Sequence, residues 1–226
     1  GATDVPLIEQ TIGDFFDAMA ARQPDRDALV SRHEQQRFTY RELQAASNQL
    51  ASALLATGLV PGDRVGIWSH NNVAWILMQV ATAKAGLVLV NINPAYRTAE
   101  VEYALNKVGC KALVTMARFK TSDYLGMLRE LAPELATAQP GELKCARLPQ
   151  LQRVVWIDGP GATAGDAPDE PGMQRFSDLM ASGRPDDPRV AQVQQSLDAN
   201  DPINIQFTSG TTGFPKGATL THRNIL

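Results

Sequence analysis

The sequence predicts an α/β fold with a largely parallel sheet flanked by helices. Helix and strand signals alternate through the first half of the chain, an order typical of parallel sheets covered by helices. The run LVLVNI at 87–92 is almost wholly apolar, as expected of a strand that is buried on both faces. With 226 residues, of which 44% are hydrophobic and 20% charged, the chain can bury a sizeable core.

Two helices near the N-terminus have clear start signals. Thr11 with Asp14 predicts a helix start in TIGDFFDAMAARQP, and Thr39 with Glu42 predicts another in RFTYRELQAASNQLASALLATG, where Gly58 is the stop. Apolar residues recur at helical spacing in both segments. We therefore predict two amphipathic helices.

Strands and helices continue to alternate along the rest of the chain. Asn71 and Asn72 are cap candidates for a nearly all-apolar helix that ends at Gly86, and Thr98 is expected to cap the next helix. Other predicted helices lie at about 119–139 and 176–181, and residues 184–202 are predicted to form a polar connection. Strands are predicted at 64–68, 87–92, 111–116, 153–158 and 203–208, with a further strand signal, GATL, at 217–220.

Charge and cysteine content limit the function classes. The formal net charge is −3, which argues against a nucleic-acid partner because such proteins carry a basic excess. Cys110 and Cys145 have no metal-ligand spacing with each other or with the three histidines, so we expect two reduced thiols. No signal peptide or membrane-spanning run is evident. The expected location is cytoplasmic.

The first glycine-rich stretch, GPGATA at 159–164, follows a predicted strand and fits G-x-G-x-x-A. A dinucleotide site of this type requires a helix N-terminus directly afterwards, so that backbone N–H groups point at the pyrophosphate. The following residues are GDAPDEPG, with two prolines and three acids. We interpret the stretch as a surface loop.

The second stretch, TSGTTGFPKG at 208–217, has the chemistry of a polyphosphate site. Its glycines allow the backbone to approach a ligand, its hydroxyls and N–H groups can donate to phosphate oxygens, and its lysine supplies a positive charge. It is not a Walker A loop, because Pro215 and Gly217 stand where glycine and Ser or Thr are required. The candidate phosphate-binding residues are Thr208, Ser209, Gly210, Thr211, Thr212, Gly213 and Lys216.

Three motifs in order give this stretch a family context. IQFTSGTTGFPK followed by GATLTHRNIL resembles the phosphate-binding signature of the AMP-forming adenylating enzymes, the superfamily of acyl-CoA synthetases, luciferases and peptide-synthetase adenylation domains. FTYREL at 38–43 and AKAGLVLVNINPAYR at 83–97 resemble two earlier motifs of that family, the second in wording typical of fatty-acyl-CoA synthetases. The resemblance covers nearly the whole chain.

The resemblance implies a reaction and its substrates. Enzymes of this family join a carboxylate to ATP with Mg²⁺, release pyrophosphate and pass the acyl group from an acyl-adenylate to coenzyme A. By the resemblance, the candidate residues bind and orient the β- and γ-phosphates, a task of positioning and charge neutralisation rather than acid–base catalysis. The implied partners are a fatty acid, ATP and coenzyme A.

The family's later motifs, which include its Mg²⁺-binding Glu, ribose-binding Asp and catalytic Lys, find no match in residues 1–226. We therefore expect the chain to be a partial N-terminal AMP-binding domain, 1–226, that is inactive alone and prone to self-association through an uncovered edge or face. An empty loop at 209–217 is expected to be mobile, and residues 38–116 to form the rigid core. The alternatives are a stand-alone nucleotide- or phosphate-binding module, an inert scaffold, or an adenylating enzyme for an aryl or amino acid.

Single residues allow two interpretations each. His222 follows the loop and is either a phosphate ligand or, as we favour, part of a helix start that Thr221 caps. Trp68, Trp75 and Tyr96 are either pocket residues or, as their apolar neighbours indicate, core residues.

Overall fold

The computed structural model describes residues 7–159, 168–208 and 215–226. Helices and strands alternate along them. The helices are α1 (Ile12–Arg22), α2 (Tyr40–Ala56), α3 (Val73–Lys84), α4 (Thr98–Val108), α5 (Tyr124–Leu131), a 3₁₀ turn (Pro133–Ala136), α6 (Phe176–Ala181), α7 (Pro188–Gln195) and α8 (His222–Ile225). The strands are β1 (Asp27–Ser31), β2 (Gln36–Thr39), β3 (Arg64–Trp68), β4 (Val88–Ile92), β5 (Cys110–Thr115), β6 (Arg118–Phe119), β7 (Ser122–Asp123), β8 (Arg153–Trp156), β9 (Met173–Arg175), β10 (Pro202–Thr208) and β11 (Lys216–Thr221).

Among the described residues, seven strands form one sheet in the order β11–β10–β4–β3–β5–β8–β9. Every neighbouring pair is parallel except β10 and β11, which are antiparallel. Helices α4 and α5 pack on one face, and α1, α2, α3, α6 and α7 pack on the other. The predicted α/β class with a largely parallel, helix-covered sheet is confirmed.

The central strands are buried on both faces, which explains their continuous apolar sequences. In β3, Val65 and Ile67 belong to the cluster under α2 and α3, whereas Trp68 belongs to the cluster under α4 and α5. In β4, Leu89 belongs to the first of these clusters and Val90 to the second. The core also extends past residue 116 and includes Trp156 and Leu179.

Side-chain caps fix the helix starts where the sequence predicted them. Thr11 accepts a hydrogen bond from the Asp14 N–H at 3.1 Å, and Thr39 and Glu42 form a reciprocal capping box. Asn72 accepts from the Trp75 N–H at 2.8 Å at the start of α3. These caps satisfy N–H groups that have no partner within the helix.

Several local predictions were wrong. The stretch predicted as helix at 119–139 begins instead with the β6–β7 hairpin, and the helix is limited to α5 and a 3₁₀ turn. The connection predicted at 184–202 contains α7, with Asp187 as its N-cap and Pro188 at its first position, a recognised start signal. The predicted cap Thr98 lies inside α4, where its hydroxyl donates to Glu130, and Arg97 is the N-cap.

One edge of the sheet is formed by β11, which pairs with β10 alone among the described strands. Residues 216–219 are exposed. Self-association through an uncovered edge or face stays a prediction. None of the described helices has both the length and the apolar character needed to cross a bilayer.

A buried ion pair connects four helices on one face of the sheet. Lys84 of α3, whose side chain is 1% exposed, pairs with Asp17 of α1. The Asp17 carboxylate also accepts from Gln44 of α2 at 2.7 Å and from Gln194 of α7 at 2.9 Å. Burial raises the pKa of Asp17, but hydrogen bonds from Lys84, Gln194 and Gln44 lower it to below its ordinary value. Burial lowers the pKa of Lys84, and Asp17 opposes this shift.

We predict that Asp17→Ala strongly destabilises the fold. Removing the carboxylate leaves the Lys84 ammonium buried without its partner, and we expect the free energy of unfolding to fall by about 3 kcal/mol. Urea unfolding followed by circular dichroism measures the change. Asp25→Ala is the matched control, because Asp25 pairs with Arg41 on the exposed surface, where ion pairs contribute little. Equal losses in the two variants would contradict the prediction.

Candidate functional site

The predicted phosphate loop connects β10 to β11 at the carboxyl edge of the sheet. Thr208 ends β10 and lies opposite Lys216, the first residue of β11, in the antiparallel register. The Thr208 hydroxyl donates to the Lys216 carbonyl oxygen at 3.4 Å. The two ends of the loop are therefore held together at its base.

Two of the predicted site residues lie at this base, and the others lie outside the described residues. Thr208 and Lys216 are both exposed. Lys216 takes part in none of the ion pairs formed among the described residues. The predicted site residues outside the described ranges are Ser209, Gly210, Thr211, Thr212 and Gly213. Most of the loop at 209–217 with predicted mobility, and most of the glycine-rich stretch at 159–164, also lie outside them.

The position of the loop follows from the strand directions. Because β10 is parallel to β4 and β4 to β3, all three end at the same edge of the sheet. Open α/β sheets bind ligands at the carboxyl ends of their strands. The loop is therefore at the edge where such a fold holds a ligand.

A buried amide pair connects β10 to β4 below the loop. Asn91 Nδ2 donates to Asn204 Oδ1 at 3.4 Å, and Asn204 is 1% exposed. The remaining amide atoms, Asn91 Oδ1 and Asn204 Nδ2, are buried and have no hydrogen-bond partner among the described residues. Polar atoms without partners are costly in a core, so the burial of these two atoms carries a free-energy cost in the strand that leads to the loop.

A second polar and aromatic cluster lies beyond the carboxyl ends of β3 and β5. The His70 and Phe119 rings are stacked, with centroids 4.1 Å apart, and His70 Nδ1 lies 2.9 Å from Met116 Sδ. Burial lowers the pKa of His70, His33 lowers it further, and Glu34 opposes both. This cluster was not predicted from the sequence. The available signal was its position, because these residues follow predicted strands.

A cavity of about 380 Å³ lies at the opposite, amino edge of the sheet. Arg64, Val88 and Pro202, which begin β3, β4 and β10, line it together with His222. His222 is the first residue of α8 and is buried, and Thr221 caps this helix. The predicted helix start is confirmed.

The three aromatic residues named from the sequence lie in or against the core. Trp68 is fully buried and meets the Tyr124 ring edge-on. Trp75 and Tyr96 are partly buried and pack against the two core clusters. The core interpretation is confirmed for Trp68, and the other two residues lie at the margin of the core.

The chemistry of the loop base is that of binding and orientation. A lysine ammonium and a threonine hydroxyl can donate hydrogen bonds to phosphate oxygens, and the ammonium also supplies a full positive charge. Among the described residues, no group of three or more His, Cys, Asp or Glu side chains is arranged to hold a metal ion.

Comparison with known proteins gives consistent relatives. The chain is 46% identical over 228 residues to the mitochondrial medium-chain acyl-CoA ligase ACSF2 of Macaca fascicularis, covering 100% of this chain and 35% of the relative. It is 37% identical to the putative acyl-CoA synthetase YngI of Bacillus subtilis, covering 97% and 39%. The chain thus spans little more than a third of the curated relatives' length.

The solved structure of the anthranilate CoA ligase AuaEII in complex with anthranoyl-AMP has the same fold. Its TM-score is 0.74 at 22% identity, covering 99% of this chain and 36% of that one. The family model described as AMP-binding enzyme matches residues 16–226. The chain therefore belongs to the AMP-binding enzyme family, and its homologues are acyl-CoA ligases.

Proposed function

We propose that the chain is part of a fatty acid–CoA ligase, which activates a carboxylate with ATP to an acyl-adenylate and transfers the acyl group to coenzyme A. The observation that carries this proposal is the hairpin of β10 and β11, whose ends at Thr208 and Lys216 lie at the carboxyl edge of a parallel sheet in a chain of the AMP-binding family. Open α/β sheets bind ligands at this edge, and the segment between the two strands has a sequence suited to polyphosphate.

Each candidate residue has a binding role in this proposal. Lys216 neutralises charge on the β- and γ-phosphates, and Thr208 donates its hydroxyl at the loop base. Backbone N–H groups and hydroxyls of the intervening residues complete the phosphate contacts; these residues are Ser209, Gly210, Thr211, Thr212 and Gly213. Together they hold the triphosphate while the carboxylate oxygen attacks the α-phosphorus, a positioning task.

Two observations support a fatty-acid substrate: the names of the relatives and the amino-acid sequence of one motif. The relative from Macaca fascicularis is named a medium-chain acyl-CoA ligase, and the segment at 83–97 resembles fatty-acyl-CoA synthetases. AuaEII, an anthranilate ligase, shares the fold, so an aryl acid is the competing substrate class. The cytoplasmic location stays a prediction.

ATP, Mg²⁺ and coenzyme A are the proposed reactants and metal of the whole enzyme. The described residues include no metal-type cluster, and no Mg²⁺ ligand is assigned to them. The ammonium group of an exposed lysine suits the phosphates of ATP. No described group is assigned to coenzyme A.

Replacing Lys216 by alanine tests the phosphate role. In the longer protein that contains this chain, we expect ATP–pyrophosphate exchange to slow roughly ten- to a hundredfold, because a charge-assisted contact contributes about 1.5–3 kcal/mol. The control is Lys107→Ala on the exposed surface of α4, which removes the same charge far from the loop. Unchanged exchange in the Lys216 variant would remove this lysine from the site.

A panel of carboxylates tests the substrate class. We expect the longer protein to catalyse ATP–pyrophosphate exchange with medium-chain or long-chain fatty acids and to be slower with aryl and amino acids. Exchange with an aryl or amino acid alone would move the chain to another branch of the family. ATP binding without exchange on any acid would favour a nucleotide-binding module, and the absence of both would favour a scaffold.

The 226-residue chain alone is expected to form no acyl-adenylate. It spans about 35% of a curated relative, and adenylation requires ribose, adenine and metal contacts in addition to the phosphate loop. Incubation of the purified chain with ATP, Mg²⁺ and a fatty acid, followed by mass spectrometry, measures the product. Detectable acyl-adenylate would show that residues 1–226 contain the complete site.

A further inference from the structure

His222 stands at the point where the strand returning from the phosphate loop ends. Strand β11 runs from Lys216 to Thr221, and His222 follows it as the first residue of α8. The Thr221 hydroxyl accepts from the Asn224 N–H at 3.3 Å and so caps α8. Although it is next to an exposed edge strand, His222 is only 1% exposed.

The imidazole of His222 contacts the first helix of the chain. Its Nδ1 accepts a hydrogen bond from the Ile12 backbone N–H at 3.0 Å. Ile12 is the first residue of α1, and N–H groups in the first turn of a helix have no partner within the helix. An Nδ1 that accepts carries no proton, so the ring is neutral and its proton is on Nε2.

Neighbouring contacts strengthen the same junction. The Arg223 N–H donates to the Ala199 carbonyl oxygen at 2.9 Å, and the Arg223 guanidinium pairs with Glu9. Along its length, β11 pairs only with β10 among the described strands. The contacts of His222 and Arg223 therefore anchor the end of β11 that is distant from the loop.

We propose that His222 is a positioning residue, whose neutral imidazole fixes the end of β11 to the start of α1 and thereby holds the strand that carries Lys216. The catalytic consequence rests on the proposed function, whereas the contact itself does not. His222 is buried at the amino edge, with its Nδ1 already bonded to Ile12. It acts on the phosphate site through the backbone of β11.

Protonation breaks this contact for two physical reasons. A proton on Nδ1 turns the acceptor into a donor that faces the donor N–H of Ile12. It also places a positive charge at the positive end of the α1 dipole. The junction therefore depends on pH.

The charged groups around the ring belong to three elements. Asp14 lies on α1, and Asp198 and Asp201 lie in the segment before β10. Arg223 is the residue that follows His222 on α8. Burial lowers the pKa of His222 below its ordinary value of 6.5, and Asp201, Asp14 and Asp198 oppose this shift. Arg64 lines the same cavity, but its guanidinium bonds to the carbonyl oxygens of nearby backbone.

The sign of the pH effect on stability follows from the lowered pKa of His222. Well above about pH 6.5 the ring is neutral in both the folded and the unfolded chain, and the contact contributes fully. As the pH falls below this value, the unfolded chain binds the proton first, so stability decreases until the lower pKa of the folded state is reached. Acid therefore weakens the junction.

Two variants separate the acceptor from the ring. His222→Asn keeps an acceptor, Oδ1, near the position of Nδ1 but does not titrate. His222→Phe keeps a ring and loses the acceptor. In the 226-residue chain and in the longer protein, we would measure Ile12 amide exchange by NMR, and ring tautomer and titration from the ¹⁵N shifts of His222. These readouts are site-specific, so the other two histidines do not affect them.

At pH 7.5 we expect Ile12 exchange, corrected for intrinsic rates, to be about tenfold faster in His222→Phe and close to the parent in His222→Asn. As the pH is lowered through the titration of the folded-state ring, which its own ¹⁵N shifts follow, the parent should lose this protection and His222→Asn should keep it. Equal protection in the parent and the Phe variant, or a ring protonated at Nδ1 at pH 7.5, would overturn the proposal. If the Phe variant does not fold, the tautomer and the pH dependence of the parent against His222→Asn still decide the question.

Turnover in the longer protein tests the catalytic consequence. We expect His222→Phe to lower kcat/KM for ATP by about tenfold and His222→Asn to remove the acid-side loss of activity. Normal turnover of the Phe variant despite faster Ile12 exchange would overturn the positioning role. If the parent itself has no turnover but shows the contact, the proposed function fails, and the structural contact stands.

Discussion

The parallel pairing of β10 with β4 is the interaction on which the placement of the phosphate loop depends. It joins segments that are more than a hundred residues apart in the chain, with Asn204 opposite Leu89 and Gln206 opposite Asn91. The buried amides of Asn91 and Asn204 form a specific polar contact within this pairing. Because β10 runs parallel to β4, its carboxyl end opens at the edge where such sheets bind ligands.

The polar groups inside the fold connect elements that are distant in sequence. Lys84 with Asp17 unites the helices of one face, and the buried Asp187 carboxylate accepts from Ser52 at 2.7 Å while it caps α7. Hydrogen bonds from Arg189 and then Ser52 hold the pKa of Asp187 well below its usual range. Breaking one partner of such a contact is costly, so these pairs constrain how the helices sit on the sheet.

The sequence predicted elements with strong local signals, and it missed elements with weaker local signals and contacts between distant parts of the chain. Strand β3 and helix α6 have the predicted bounds, because apolar runs and periodicity lie within the segment itself. The hairpins β1–β2 and β6–β7 were missed because their turns lack glycine: Gln35 and Lys120 take the positive φ instead, at 54° and 51°. The phosphate site was predicted from residue types within one segment and stays a prediction, whereas the contact of His222 with Ile12 spans 210 residues. Only the fold brings them together.

The unequal burial of two lysines has a practical consequence. Lys84 is 1% exposed, whereas Lys216 is exposed at the loop base. An amine-reactive reagent reaches Lys216 in the folded protein and reaches Lys84 only when the helices around Asp17 separate. Quantitative labelling of both lysines in one sample therefore reports on the folded protein and on its opened form at once. If Lys216 has the proposed phosphate role, its protection would report ligand occupancy, while the modified fraction of Lys84 reports loss of the native packing.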